Sequence, residues 1–201
     1  MTAVPKRRVR VLIVNASLAG AGGNTAVALE RVRRSLVSGG KAEVREVTLD
    51  RDGALAKGFA EVKAELAWAE AFVFGTGTHW DSWSSVLQTF LEDATEAEGT
   101  MLWLGKPAAC VVTEHSVGGK GVLSRLQGVL VTLGCLIPPM SGVVFSKSAQ
   151  LAVKRGAGAM DFWGVEDLKV VAHNLVEAVN GTRRWKAWAV DREEFEKRWM
   201  E

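Results

Sequence analysis

The chain has no tyrosine and only two cysteines among its 201 residues. Cys110 and Cys135 stand far apart, with no CxxC spacing. Cys110 falls in an apolar run and Cys135 just before a strand, so both read as core, and neither a metal site nor a disulfide is expected. No charge of one sign dominates: 25 Lys and Arg oppose 23 Asp and Glu, for a net charge of +2. Nucleic-acid binding draws on counterion release from a clustered excess of cations. The one basic cluster near the N-terminus, Lys6-Arg7-Arg8-Val9-Arg10, reads as a solvated lead-in to a strand, so no nucleic-acid partner is expected. No apolar run is long enough for a signal peptide or a membrane span, which makes a cytoplasmic location the expectation. There is no internal repeat and no linker. With 48% hydrophobic and 24% charged residues, the composition is that of a globular protein. The length suits one α/β domain. The aromatic surface is left to eight Trp and seven Phe.

The chain is organised around Val9 to Thr25, VRVLIVNASLAGAGGNT. An apolar strand over Val9–Val14 runs into a loop with Gly20, Gly22 and Gly23, and a helix over Ala26–Val37 follows. Unpaired loop and first-turn amides, together with the helix dipole, make such a junction an anion site. Ala42–Leu49, with charges among its apolar residues, suits an edge strand. Phe59–Ala69 has helical spacing, and Ala71–Gly75 reads as a strand buried on both faces. Ser82 is placed as the cap of a helix running to Thr95. Trp103 falls in a loop over 96–105. Pro107–Thr113 is a further strand and Val122–Leu133 a helix. Cys135–Ile137 and Gly142–Phe145 read as a fifth strand interrupted by Pro138-Pro139. Ala149–Gly164 reads as a loop of small residues, and Val165–Asn180 as the last helix. The reading divides the chain into a mobile start over 1–8, one domain over 9–182 and a Trp-rich tail over 183–201.

Alternating strands and helices imply a mostly parallel sheet with helices on both faces, and such sheets bind ligands beyond the carboxyl ends of their strands. Three polar loops leave the first, third and fourth strands at that edge. The first offers Ser17, Asn24, Thr25 and backbone amides, all neutral donors suited to a phosphate monoester. Neither the Walker A spacing nor GxGxxG is present. The other two loops hold no paired carboxylates, no Ser-His-Asp order and no metal-ligand spacing. They offer amides and a flat aromatic, Trp80. No catalytic side chain and no metal ligand are assigned. A phosphate at the first loop and a planar ring across the others would fit FMN, with the redox chemistry belonging to the cofactor.

Three stretches resemble the flavodoxin-like NADPH-dependent FMN reductases and related NAD(P)H:quinone reductases. NASLAGAGGNTA is similar to the family's G-S-x-R-x-x-G-N-T phosphate loop. AEAFVFGTGTHWDSWSSVLQTFLED resembles its A-D-x-x-x-x-x-x-P-x-Y-x-G-S-x-x-x-x-L-K stretch. GKPAACVVTEHSVGGKG resembles its G-K-P strand and glycine-rich loop. Together with the order of elements, the resemblance covers roughly residues 9–180. It implies a three-layer sandwich with a five-stranded parallel sheet in the order 2-1-3-4-5. It also implies that Ser17, Leu18, Ala19, Gly23, Asn24 and Thr25 hold the FMN phosphate. Gly77, Thr78, His79, Trp80 and Asp81 would run along the isoalloxazine edge, and Glu114, His115, Gly118 and Gly119 would close its other side. NADPH or NADH would be the co-substrate, a small acceptor (free flavin, a quinone or similar) the second substrate, and a homodimer or homotetramer the assembly.

The sequence departs from the family pattern. The phosphate loop has no Arg and is one residue longer, and the usual Pro, Tyr and Gly of the second loop appear as Gly77, His79 and Asp81. A carboxylate at Asp81 is unfavourable beside a reduced flavin unless it turns to solvent or bonds an amide. His79 reads equally as a flavin-edge or an exposed loop residue, and His115 somewhat more as an exposed loop residue than as a flavin-edge one. Trp80, with Trp83, is a ring platform or a packing residue. Lys120 reads as a solvated lysine and His173 as structural. Trp185, Trp188, Phe195 and Trp199 form a stripe that would pack on the domain, on a partner subunit or at a membrane surface. Two rivals to the oxidoreductase remain: a flavodoxin-like electron carrier, against which the balanced charge argues, and a binding module with weakened or no FMN binding.

Overall fold

The structure, a computed structural model, describes residues 7–49, 54–156 and 162–181. Strands Val9–Ala16 (β1), Ala42–Thr48 (β2), Ala71–Gly77 (β3), Ala108–Glu114 (β4) and Gly142–Ser146 (β5) are present. Between and after them lie helices Asn24–Val37 (α1), Ala54–Trp68 (α2), Ser85–Ala94 (α3), Gly119–Leu133 (α4), Lys147–Lys154 (α5) and Asp167–Asn180 (α6). The strands form one parallel sheet in the order β2-β1-β3-β4-β5, the flavodoxin-like order. The Trp-rich stripe of 183–201 and residues 1–6 of the N-terminal start lie outside the described residues.

The continuous apolar runs of β1, β3 and β4 follow from burial on both faces, since alternate side chains of a strand point to opposite sides. Val9, Val11 and Ile13 meet Leu29, Val32 and Leu36 of α1 and Leu168, Val171 and Leu175 of α6. Leu12, Val14 and Ala16 face the opposite core, with Val62 and Leu66 from α2, Val86 and Phe90 from α3, and Leu126 and Leu130 from α4. β2 is the charged, half-exposed edge, as its mixed sequence predicts. Both cysteines are buried and unpaired. Burial pushes the Cys135 thiol up to about 12 and raises Cys110 as well, so both stay protonated and inert at neutral pH.

Three sequence expectations are corrected. The N-cap of α3 is Ser84, not Ser82. Ser82 is taken by a turn with His79, whereas the buried Ser84 hydroxyl donates to the Ala16 carbonyl at the end of β1 and accepts from the Leu87 amide at 3.2 Å. Ser84→Ala leaves the Leu87 amide uncapped and the Ala16 carbonyl with only the longer bond from Thr76 Oγ1, 3.4 Å, and the expected loss in urea unfolding is about 2 kcal/mol. Residues 135–137 do not join β5. Only Leu136 bridges Pro107, because Pro138 and Pro139 carry no amide hydrogen for a ladder. The stretch assigned to loop over Ala149–Gly164 contains most of α5. Trp103, assigned to a loop, is fully buried. Its ring packs 5.4 Å from Phe72, 6.3 Å from Phe90 and 6.5 Å from Phe74.

Among the described residues no helix is long and apolar enough to cross a membrane. No group of His, Cys, Asp and Glu among them is arranged to hold a metal ion.

Candidate functional site

At the carboxyl edge of the sheet, β1 carries a buried asparagine one residue before its end. The Asn15 side chain accepts from the Ser17 amide and donates to the Gly20 carbonyl, both at 3.3 Å, which pins the glycine loop over the strand. Sequence reasoning gave Asn15 no role. Its signal was a polar residue closing an apolar run. The Ser17 hydroxyl accepts from the Ala19 amide at 3.3 Å, and Gly20–Gly22 make one tight 3-10 turn. Gly23 enters α1 from beneath: a Cβ there would lie 2.9 Å from both Ser17 Oγ and Ala19 Cβ.

The first bond of α1 runs from the Val27 amide to the Gly23 carbonyl, so the amides of Asn24, Thr25 and Ala26 lie ahead of it. No side chain caps this end. The neighbouring helices differ. The Leu87 amide of α3 donates to Ser84 Oγ, the Gly119 amide of α4 to Glu114 Oε2 at 2.6 Å, and the Ala149 amide of α5 to Ser146 Oγ. Of these four helix starts, α1 keeps its amides and dipole for a ligand.

The three loops converge on a cleft of about 680 Å³. Of the residues expected at the site, Ser17, Leu18, Ala19, Asn24, Thr25, Gly77, Thr78, His79, Glu114 and His115 line it. Thr25 and Thr113 tie the first and third loops together through their hydroxyls, 2.8 Å apart. The Thr78 amide donates to the Thr113 carbonyl at 2.7 Å, while Thr78 Oγ1 is buried with no partner. A buried hydroxyl left without a partner is uncommon, and this one belongs to a residue of the cleft wall.

Gly23, Trp80, Asp81, Gly118 and Gly119 lie outside the lining. His79 and Ser82 exchange both backbone bonds, at 2.8 and 2.9 Å, around a two-residue turn. Trp80 and Asp81 hold positive φ there, 48° and 57°. Asn-Gly usually takes this mirror-image turn, and a tryptophan in it is strained. The Trp80 side chain is fully exposed. Asp81 turns back against Gly118, whose φ of 93° and closeness to that carboxylate leave room only for glycine. The Arg125 guanidinium donates to the Asp81 carbonyl. The Glu114 carboxylate is spent on the start of α4.

The fourth wall was not foreseen. α1 contributes Val27, Ala28 and Arg31 to the cleft, and the segment after β5 contributes Lys147, Gln150, Leu151, Lys154 and Val165, with Leu168 of α6 below. Ser148 fastens this wall to the third loop, donating to the His115 carbonyl from both its amide and its hydroxyl, each at 2.9 Å.

The model of the NADPH-dependent FMN reductase family matches residues 9–150. The chain belongs to that family. No curated protein matches it in sequence. In fold it is similar to RosB, solved with bound 8-demethyl-8-formylriboflavin-5′-phosphate, at TM-score 0.66 and 15% identity, over 86% of this chain and 79% of that one. It is also similar to a flavodoxin, a WrbA-like protein from Agrobacterium tumefaciens, at TM-score 0.61 and 19% identity, over 86% and 96%. A third is the apo form of the NADH:FMN oxidoreductase EMOB, at 0.58 and 17%, over 86% and 87%. These identities speak for the fold alone. Within this FMN reductase family member, the matched segment ends in α5, so Leu151, Lys154, Val165 and Leu168 fall beyond it. The family supports an FMN-linked oxidoreductase.

Proposed function

We propose that this protein is an NAD(P)H-dependent FMN or quinone reductase, passing a hydride from a nicotinamide donor through bound FMN to a small acceptor. The observation that carries the reading is the uncapped start of α1 beside a glycine loop, opening on the same cleft that Thr78, His79 and His115 line from the other two loops. The donor set fits FMN. The amides of Leu18, Asn24, Thr25 and Ala26, with the Ser17 and Thr25 hydroxyls, would hold the phosphate by neutral hydrogen bonds and the helix dipole. Thr78 and His79 on one side, and His115 on the other, would hold the polar edge of the ring. Bound FMN supplies the hydride acceptance and release.

The chain's own work is positioning. The Thr25–Thr113 bond fixes the spacing between the phosphate end and the ring end. Asn15 keeps the loop from collapsing onto the amides it presents. Asp81, folded onto Gly118, keeps its carboxylate out of the cleft lining. Glu114 is held by the Gly119 amide at the α4 start. Assembly as a homodimer or homotetramer and a cytoplasmic location belong to the same proposal.

The test is direct. Apoprotein mixed with FMN and desalted keeps a flavin spectrum at about one flavin per chain, and the loaded protein oxidises NADPH or NADH when a quinone or free flavin is added. Protein that emerges colourless from desalting and leaves flavin fluorescence unquenched in titration sinks the flavin assignment. Flavin retention without turnover removes the reductase and keeps the carrier.

A further inference from the structure

One side of the cleft has a character that a flavin phosphate loop does not require. Asn24, Val27, Ala28 and Arg31 follow one stripe of α1, at helical spacings of three and four. Lys147, Gln150, Leu151 and Lys154 follow the same spacing on α5. Each stripe spans eight residues, about 10 Å of helix axis. The cleft therefore continues past the glycine loop as a groove between two helices. Its floor is apolar, with Val27, Ala28, Leu151, Val165 and Leu168, and its charged members are Arg31, Lys147 and Lys154.

These cations are not committed elsewhere. On α1, Arg33 and Arg34 both pair with Glu30, the neighbouring acid. Arg31 has no acidic partner among the described residues, and neither has Lys147 or Lys154. The acid that shares the cleft, Glu114, is bound to the Gly119 amide. Cations with long apolar stems flanking an apolar floor suit a ligand with a flat or apolar body and an anionic end. The phosphate of FMN already has a neutral cradle at the other end, so the cations face a second anion.

We propose that the groove between α1 and α5 is a second-ligand subsite for an amphipathic anion, an apolar or aromatic body bearing a phosphate or carboxylate. Arg31, Lys147 and Lys154 hold its charged end. The proposal rests on the flavin reading only for which end of the cleft stays free. Two sources share this chemistry. One is the phosphorylated adenosine half of the nicotinamide donor, for which the site would prefer NADPH to NADH. The other is an anionic aromatic acceptor. In both cases the groove sets specificity and not the redox step.

The full chain, with and without FMN, is titrated calorimetrically with 2′,5′-ADP, with 1-naphthoate and with uncharged adenosine. One anion binds, adenosine binds at least tenfold more weakly, and rising salt weakens the anion, as exposed charge pairing demands. The combined variant Arg31→Gln, Lys147→Gln, Lys154→Gln loses at least tenfold in affinity for that anion while its FMN affinity stays within twofold. Lys147→Arg with Lys154→Arg keeps most of the binding. All three side chains lie on exposed positions, so melting temperatures stay close to the parent's. Tighter 2′,5′-ADP assigns the groove to the donor, and tighter naphthoate assigns it to the acceptor. The idea is overturned if neither anion binds, if the triple variant binds it as well as the parent, or if FMN affinity falls in step. Anion binding that survives in a protein unable to take FMN would defeat the flavin reading and leave this one standing.

Discussion

Asn24→Asp is expected to weaken FMN binding about a hundredfold while leaving the apoprotein no less stable. The two effects have one cause. Asn24 is exposed at the first position of α1 and lines the cleft, so the nearly isosteric change disturbs no packing. A carboxylate there sits within the field of the helix start, where an acidic side chain stabilises a helix by about 0.3–1 kcal/mol. The FMN phosphate would meet that carboxylate at close range. Two unit charges about 5 Å apart at an effective dielectric of about 20 repel by about 3 kcal/mol, which is the hundredfold. Quenching of flavin fluorescence reads the affinity, and a thermal melt of the apoprotein reads the stability. A change in affinity below threefold would mean that the phosphate is not seated at α1.

The second large effect lies in the core. Trp103→Ala is expected to lower the unfolding free energy by about 4 kcal/mol, within the range for deleting a large aromatic from a packed interior. The ring is fully buried among Phe72, Phe74 and Phe90, and it covers the face of the sheet shared by α3 and α4. Its Nε1 has no hydrogen-bond partner. Trp103→Phe gives back part of the loss, because its ring refills most of the cavity that alanine leaves, while both variants remove the unsatisfied donor. Guanidinium unfolding of the two variants measures both. If phenylalanine proved as harmful as alanine, refilling the site with a ring would be contributing nothing to the balance.

Much of the fold could be read from the chain because its signals were local. The runs of β1, β3 and β4 and the helical spacing of α1, α4 and α6 each reflect burial against neighbours on both sides. The glycine loop and its hydroxyls could be read because an anion site at a helix start is built from consecutive residues. What could not be read is tertiary. Trp103 stands in a polar, glycine-containing loop, and its burial depends on rings brought together by one strand and a helix. α5 is eight residues long with only Ala149 buried, so it leaves no apolar stripe. Its contribution to the cleft comes from lysines that look solvated in one dimension. Ser82 and Ser84 are equally good caps by composition, and the choice falls to Ser84 because the Ala16 carbonyl lies beside it. The left-handed turn at Trp80-Asp81 carries no Asn-Gly signal.

The double hydrogen bond from Ser148 to the His115 carbonyl has a consequence for the order in which ligands arrive. It joins the third loop, which would flank the flavin ring, to the helix that carries Lys147 and Lys154. A ligand that stills His115 stills the start of α5 with it, so the entropy of fixing that helix is already spent when the next ligand enters. The first guest prepares the seat of the second, and by linkage the second tightens its hold on the first.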